Sequence, residues 1–594
     1  MYARIAFQQK IGNQDFLTYE IPESLMSEIK TGMLVEIPLR NKKVTGLVWE
    51  LTEEKPEFKT SEIVRLLPET EPNETPPPLL TQLQIELARF ISDYYFTPLY
   101  KVLKLFIPAK IFKGKEMRLN KRLTAKGEKL PAKKEYEVLS SDQQKAFEKI
   151  INATENLTQK SIEQKNSTPT DLKTPSLNAE KTTPLNKFLI HGITGSGKTE
   201  IYAHLARHFL EKGQQVLILV PEISLTPQTV EYFESRLGFK AAVIHSRLSE
   251  GEKFKMWKDI KSNNKPLVIG SRSSIFAPFT NLGIIIIDEE HELSYKQDQS
   301  PRYLTHTIAE KIQELYLEQK KYSIPLILGS ATPSIETAYK YKDSTIHLRE
   351  RIGTATLPDI KIVDMREEFK KGNKTIFSDE LQDEITKTLA SGNQAILFLN
   401  RRGSASSIVC RDCGYKLICT NCDIPMTYHA RTLGKPVIIC HHCGQIGKIP
   451  INCPNCKGLN IRFLGIGTER IEEDTKKLFK NARVARADKD TTSHKTSFEQ
   501  IYSSFKNHEI DILIGTQMIA KGLHIPNVNL VGVVLADIGL NMPDFRTSER
   551  NYQLLTQVSG RAGRSSEKGK VIIQTYTPEH FALQATAAHD YDAF

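Results

Sequence analysis

The stretch Phe188-Leu189-Ile190-His191-Gly192-Ile193-Thr194-Gly195-Ser196-Gly197-Lys198-Thr199 decides the fold. It sets an apolar run of strand length before a glycine-punctuated turn that opens a predicted helix, the context a P-loop requires. Its glycines Gly192, Gly195 and Gly197 let backbone N–H groups curl round phosphate oxygens. Lys198 brings positive charge to the outer phosphates, and the Thr199 hydroxyl is suited to Mg²⁺. The matching half of such a site is Ile284-Ile285-Ile286-Ile287-Asp288-Glu289-Glu290-His291. A buried strand there delivers acids at its carboxyl end, Asp288 to hold Mg²⁺ and Glu289 to orient or deprotonate an attacking water.

Outward from these two segments, short β-rich runs alternate with helical segments: Phe188–Ile190, Val216–Val220, Leu267–Ile269, Ile284–Ile287 and Leu326–Leu328. The rhythm resumes at Ala395–Leu399, Ile512–Ile514, Leu530–Leu535 and Val571–Gln574. Alternation of this kind predicts an α/β fold with parallel sheets in two lobes. At 594 residues the chain is too long for one core, and at about 150 residues per domain it divides into about four units. Hydrophobic residues at 39% and charged residues at 25% exclude wholesale disorder and a collagen-like chain.

All 8 cysteines fall between Cys410 and Cys456, inside the second lobe's text. They form the C-x-x-C pairs Cys410 with Cys413, Cys419 with Cys422, Cys440 with Cys443, and Cys453 with Cys456. Two such pairs complete one thiolate tetrahedron, so eight thiolates predict two closed structural Zn²⁺ sites; redox or disulfide use is the weaker reading. Which pairs share a metal is left open by the spacing. His441 and His442 are expected at the surface or facing nucleic acid, because thiolates already fill both shells.

Before the first lobe, alternation from Tyr2 to Glu50 predicts a small β-rich domain, and Pro76-Pro77-Pro78 breaks the chain before a helical pattern through Leu80, Leu83, Leu87 and Phe90. Lys101–Lys134 is dense in basic residues, read either as a solvated face or as a phosphate-contacting segment. Asn152–Asn186, polar and poor in aliphatics, is expected to be a disordered insertion. The net charge of +11 favours polyanionic partners. No apolar run reaches the about 18 residues of a membrane span, and no apolar signal core follows Met1; a cytoplasmic protein without a membrane partner is expected.

The ordered set of motifs resembles superfamily 2 DNA helicases and, within them, the bacterial primosomal replication-restart (PriA) family. It includes Val220-Pro221-Glu222, Gly270-Ser271-Arg272, Gly329-Ser330-Ala331-Thr332-Pro333-Ser334, Asn400-Arg401-Arg402-Gly403, Gly465-Ile466-Gly467-Thr468-Glu469, Gly515-Thr516-Gln517 through Lys521-Gly522, and Gln557-Val558-Ser559-Gly560-Arg561-Ala562-Gly563-Arg564. The resemblance implies two RecA-like lobes with ATP in the cleft, 3′-to-5′ movement on single-stranded DNA, and recognition of stalled forks for primosome assembly. It implies Gln557, Arg561 and Arg564 as catalytic groups of the second lobe, Gln143 as the adenine reader, and Ser330 and Thr332 as transmitters of the nucleotide state. It also implies nested zinc ligation, the outer pairs on one ion and the inner pairs on the other.

The organisation expected on this basis is a 3′-end DNA-binding domain over 1–105, a basic connector over 106–138 that is a reduced or absent winged helix, lobe 1 over 139–345 with the insertion 152–186, and lobe 2 over 346–594 carrying a zinc region over 408–460. Expected cofactors are ATP, Mg²⁺ and two Zn²⁺. Expected partners are single-stranded and forked DNA, single-stranded DNA-binding protein, and primosome proteins including the replicative helicase or its loader, with the chain a monomer. Thr18 stands where many family members carry Asp. Tyr295, Lys296, Arg302 and Tyr303 interleave as a base-stacking loop is expected to, although Leu304-Thr305-His306-Thr307 departs from the family's Ala-Arg-Asp run. Family members continue into a C-terminal domain past the position of Phe594, so either a truncated chain or the absence of that module is expected. Two rivals are another superfamily 2 translocase and a zinc-containing fork-binding scaffold with weak unwinding.

Overall fold

A computed structural model describes residues 1–12, 14–40, 42–67, 77–112, 138–166, 186–352, 356–400, 406–429, 437–464, 467–488, 497–520, 527–540, 544–563 and 568–594. The chain divides into two compact units, Met1–Gly192 with Gly197–Leu348, and Ile193–Ser196 with Arg349–Phe594.

In the first unit seven parallel strands form one sheet. In spatial order they are Thr345–Leu348, Lys187–Gly192, Leu326–Ser330, Leu282–Asp288, Gln215–Leu219, Leu267–Gly270 and Ala241–Ile244. The interior strands are buried on both faces, which is why they read as unbroken aliphatic runs. Helices Lys198–Glu211 and Thr305–Lys320 are among the crossovers. Thr345–Leu348 pairs with Lys187–Gly192, so the lobe runs to Leu348 rather than stopping at residue 345.

The amino-terminal residues build a five-stranded antiparallel sheet, ordered Gln14–Glu20, Tyr2–Ile11, Lys42–Thr52, Leu34–Leu39 and Arg65–Leu67. Helix Gln82–Tyr94 follows the proline run, opened by a capping box in which Thr81 and Gln84 satisfy each other's backbone N–H. The amino-terminal domain does not stand apart from lobe 1. Leu83, Ile91, Leu103 and Phe106 share one core with Trp257, Phe276, Ile308 and Ile312. Phe106 meets Phe276 edge-on at 5.2 Å, and the Trp257 indole donates to the Phe106 carbonyl at 2.9 Å. The start of the basic stretch is thus core helix, Leu99–Phe106; its most basic part, 113–134, lies outside the described residues.

The expected disordered insertion begins differently. Helix Ser141–Asn166 continues through the first part of it, and the remainder up to 185 lies outside the described residues.

The second unit holds six parallel strands ordered Asp359–Asp364, Lys570–Thr575, Val528–Val533, Gln394–Phe398, Ile512–Gly515 and Val484–Ala487. Between the second and third strands in sequence, Gln394–Phe398 and Val484–Ala487, runs the cysteine region, a small antiparallel sheet of Ile446–Gly447, Val437–Ile439, Thr427–His429, Ser406–Cys410 and Ile461–Leu464. The α/β class with two RecA-like parallel sheets, a β-rich amino-terminal domain and an inserted double cysteine centre is the architecture read from the sequence.

Candidate active site and metal centres

The phosphate-binding candidate sits where the strand Lys187–Gly192 hands over to the helix Lys198–Glu211. Gly195 and Gly197 take φ of +87° and +75°, a backbone that side chains with a Cβ rarely adopt, so the turn needs glycine at both. Lys198 donates from Nζ to the Gly192 carbonyl at 2.6 Å, across the mouth of the loop, and Thr199 follows in the helix's first turn. Gln143 is 2% exposed and donates to the Gly197 carbonyl at 3.2 Å, while its Oε1 accepts from Ser140 N at 2.8 Å. Gln143 is thus built onto the loop rather than lying at the surface.

The acid strand Leu282–Asp288 lies one strand away, with Leu326–Ser330 between it and the P-loop strand. In a parallel sheet all three carboxyl ends open at the same end of the sheet, so the glycine loop, Asp288 and Ser330 gather there without any long-range coincidence. Burial and then the neighbouring Glu289 charge push the Asp288 carboxyl up to about 6, against the pull of Lys198 and a hydrogen bond from Tyr202. Tyr202 Oη donates to Asp288 Oδ1 at 3.1 Å. Glu289 takes φ of +47°, an uncommon conformation for a side-chain-bearing residue and one that clusters at working sites.

Two further groups of the acid motif are tied to the next strand. His291 Nδ1 lies 2.7 Å from Ser330 Oγ and 3.6 Å from a Glu289 carboxylate oxygen, and Ser330 Oγ also accepts from Thr332 N at 2.9 Å. Glu290, buried, accepts from Ser334 N at 2.7 Å and Thr337 Oγ1 at 2.8 Å, with His306 Nε2 at 3.2 Å. Burial alone would raise the Glu290 carboxyl, but His306, His291 and the Ser334 N–H together hold it below its ordinary range. Thus Ser330 and Thr332 do connect to the acid motif. His306, from the run that departs from the family pattern, becomes a partner of its second glutamate.

The aromatic loop is corrected. Tyr295 and Tyr303 are each only 1% exposed and cannot stack on bases. Tyr295 Oη sits 2.6 Å from the Asp288 carbonyl and 3.1 Å from that of Leu219, and Tyr303 packs edge-on to Phe276 at 4.9 Å. Their apolar rings are worth more in the core than on the surface, and the Tyr295 hydroxyl finds two carbonyl partners there. Lys296 and Arg302 remain exposed.

In the second lobe Gln557 is buried within helix Thr547–Ser559 and Arg561 follows its cap Gly560; Arg564 lies outside the described residues. Asn400 Nδ2 donates to Asn551 at 2.5 Å, and Gln517 donates to Asn400 at 3.3 Å, so two of this lobe's motifs meet the helix that carries Gln557 in one polar network.

The eight cysteines close into two clusters, Cys410, Cys413, Cys453 and Cys456, and Cys419, Cys422, Cys440 and Cys443, with the sulfurs of each within 4.8 Å of one another. This is the nested pairing, and four mutually close thiols suit Zn²⁺ in both places. The same turn is made four times: the residue after each second cysteine, Gly414, Asp423, Gly444 and Lys457, has φ between +53° and +77°, and its N–H bonds back to the first cysteine's carbonyl at 2.8–3.0 Å. In the inner cluster the backbone N–H of Cys443 is the main cause that draws the Cys440 thiol down to about 6, towards the thiolate a metal requires. His441 faces His429 at 3.0 Å, and His442 Nδ1 approaches Cys422 Sγ at 3.4 Å without joining the four sulfurs.

Sequence reasoning missed Tyr202 and His306. The signal for Tyr202 was available: it stands four residues after Lys198, on the same helix face.

Family models match in chain order: a 3′DNA-binding domain (3′BD) over 4–108, the type III restriction enzyme res subunit over 137–335, the PriA DNA helicase Cys-rich region (CRR) domain over 419–446, and the helicase conserved C-terminal domain over 437–566. Replication restart protein PriA of Bacillus subtilis is 52% identical over 410 residues, 68% of this chain and 50% of that protein. PriA of Rickettsia conorii is 38% identical over 586 residues, 97% of this chain and 81% of that protein. PriA of Haemophilus influenzae is 35% identical over 622 residues, covering 97% and 82%. The match to the Bacillus relative thus spans about half of its length, whereas those to the other two span about four-fifths. No helix among the described residues is long and apolar enough to cross a membrane. With its motifs, folds and cysteine centres matched along nearly its whole length, the chain belongs to the PriA family of replication restart proteins.

Proposed function

We propose that the chain is an ATP-dependent DNA helicase that moves 3′-to-5′, recognises stalled or abandoned forks and initiates replication restart by primosome assembly. The observation that carries this reading is the carboxyl end of the parallel sheet, where the glycine loop with Lys198, the acids Asp288 and Glu289, and Ser330 come together.

Lys198 neutralises phosphate charge at the loop mouth, and the loop's N–H groups receive phosphate oxygens. Thr199 and Asp288 would hold Mg²⁺; the raised Asp288 carboxyl fits a side chain buried beside a second acid and in need of a cation. A bound magnesium–nucleotide supplies the phosphoryl group whose transfer drives movement. Glu289 orients water and accepts its proton, and the His291–Ser330 contact ties that acid to the neighbouring strand. Gln143 reads the adenine edge, and Gln557, Arg561 and Arg564 are the second lobe's contribution to hydrolysis. Zn²⁺ in the two cysteine clusters is structural, because four sulfurs leave no open ligand position.

The domain over 4–108, matched to a 3′DNA-binding domain, fits capture of a nascent 3′ end. The partners that follow are single-stranded and forked DNA, single-stranded DNA-binding protein, and the replicative helicase or its loader, met by a monomer in the cytoplasm. The test is strand separation on synthetic forks with and without a nascent leading strand. ATP-dependent unwinding that is greater when the 3′ end lies at the branch is expected; hydrolysis without unwinding on any fork favours the scaffold.

A further inference from the structure

Within the first unit, one buried residue lies outside the motifs read from the sequence and yet touches the proposed Mg²⁺ ligand. Tyr202 lies one helical turn beyond Lys198, so the helix that carries the phosphate lysine presents the phenol on the same face. Its ring is 1% exposed, and its hydroxyl donates to Asp288 Oδ1 at 3.1 Å. Between helix and acid lies the strand Leu326–Ser330, on which Gly329 sits directly opposite Asp288 in the parallel register. A Cβ built at Gly329 would stand 1.6 Å from the Tyr202 hydroxyl and 2.7 Å from its ring carbon. The absence of a side chain at 329 is therefore what lets the phenol pass over the intervening strand. Tyr295, from the following loop, holds the Asp288 main-chain carbonyl at 2.6 Å.

We infer that Tyr202 is a positioning residue for the Mg²⁺ ligand Asp288, and that Gly329 is glycine to make room for it. This rests on the proposed nucleotide site. A carboxylate at a strand end has a free rotor and two equivalent oxygens. By bonding Oδ1 the phenol fixes the rotor and leaves the other oxygen to face a cation, the way outer partners orient metal-ligating carboxylates. The same contact links the lysine-bearing helix to the acid strand, so the two halves of the site are set by one side chain rather than independently.

The test compares Tyr202→Phe with Tyr316→Phe in the full chain. Tyr316 is also a buried tyrosine whose hydroxyl bonds this strand, but at its other end, accepting from Leu282 N at 3.2 Å. Mn²⁺ binding in the presence of a non-hydrolysable ATP analogue, followed by electron paramagnetic resonance, reads the cation directly, and melting of the metal-depleted proteins reads the fold. Tyr202→Phe is expected to weaken nucleotide-dependent Mn²⁺ binding about tenfold, with a matching rise in the Mg²⁺ concentration needed for half-maximal ATPase and little change in KM for ATP at saturating metal. Tyr316→Phe is expected to lower melting similarly and leave Mn²⁺ affinity within twofold. Wild-type Mn²⁺ binding with no difference in Tyr202→Phe, or an equal loss in both variants, overturns the positioning role while leaving the nucleotide site standing. A wild-type protein with no nucleotide-dependent Mn²⁺ site overturns both.

Discussion

Asp288 is held in a place where its ionised form is disfavoured, by burial first and by Glu289 second. Its carboxyl titrates near 6 folded against about 3.9 unfolded. The folded state therefore binds the proton more tightly, and the stability this confers is complete below about pH 4 and lost as pH rises to about 6. In metal-depleted protein, Asp288→Asn should lack this loss, so its melting temperature should gain on wild type between pH 4 and 6 and keep a constant lead above. A lead independent of pH across that window would reject the raised carboxyl. Much of this site was legible residue by residue. Lys198, Asp288 and the eight cysteines announce themselves because backbone curling, charge and metal geometry fix their spacing along the chain. The place of Tyr202 one turn beyond Lys198 was legible too, but its role and that of His306 were not, because those roles arise across strands, through Gly329 in one case and the buried Glu290 in the other. Tyr295 and Tyr303 were misread for a related reason: composition cannot say which aromatic of a loop points inward.

Among the elements, the four cysteine knuckles are one turn repeated, and they are not equally tolerant. Gly414 has φ of +77°, and a Cβ there would also meet the Tyr576 carbonyl at 2.4 Å, whereas Asp423 and Lys457 adopt the left-handed backbone at a cost that glycine would relieve. Gly414→Ala should release zinc to a chelator sooner than wild type. Asp423→Gly and Lys457→Gly should retain it as well or better, with a gain of up to about 1 kcal/mol each. Cys419→Ser should leave about one Zn²⁺ of two by elemental analysis, since three thiolates bind far less tightly than four; a reduced wild-type protein carrying a single zinc would reject the two-centre account. The strands tell a complementary story. Every strand read from an unbroken aliphatic run formed, and the four that went unread, Ala241–Ile244, Thr345–Leu348, Asp359–Asp364 and Val484–Ala487, are the edges of the two parallel sheets. An edge strand has one neighbour and less burial, so its text admits His347, Lys361 or Arg486 and loses the periodic signal.

At the scale of the molecule, the amino-terminal domain and lobe 1 share one hydrophobic core, which no linear reading of separate domains foresaw. The proline run inside the amino-terminal domain looks like a linker, yet Lys261 Nζ of lobe 1 donates to the Pro78 carbonyl at 2.8 Å and also bonds that of Leu79. The two should therefore melt as one cooperative unit. Phe106→Ala, which empties a ring site against Phe276, should destabilise that unit by about 3–5 kcal/mol. Calorimetry should show its transition move as a whole; a separate, unmoved lobe 1 transition would contradict the shared core. The central claim, that the carboxyl end of the sheet bearing Lys198 and Asp288 is a nucleotide-hydrolysing motor, is tested most directly by ATPase turnover of wild type and Lys198→Ala with and without single-stranded DNA. DNA-stimulated hydrolysis in wild type, abolished in Lys198→Ala with DNA affinity preserved, is the predicted result; undiminished turnover in the variant would contradict it.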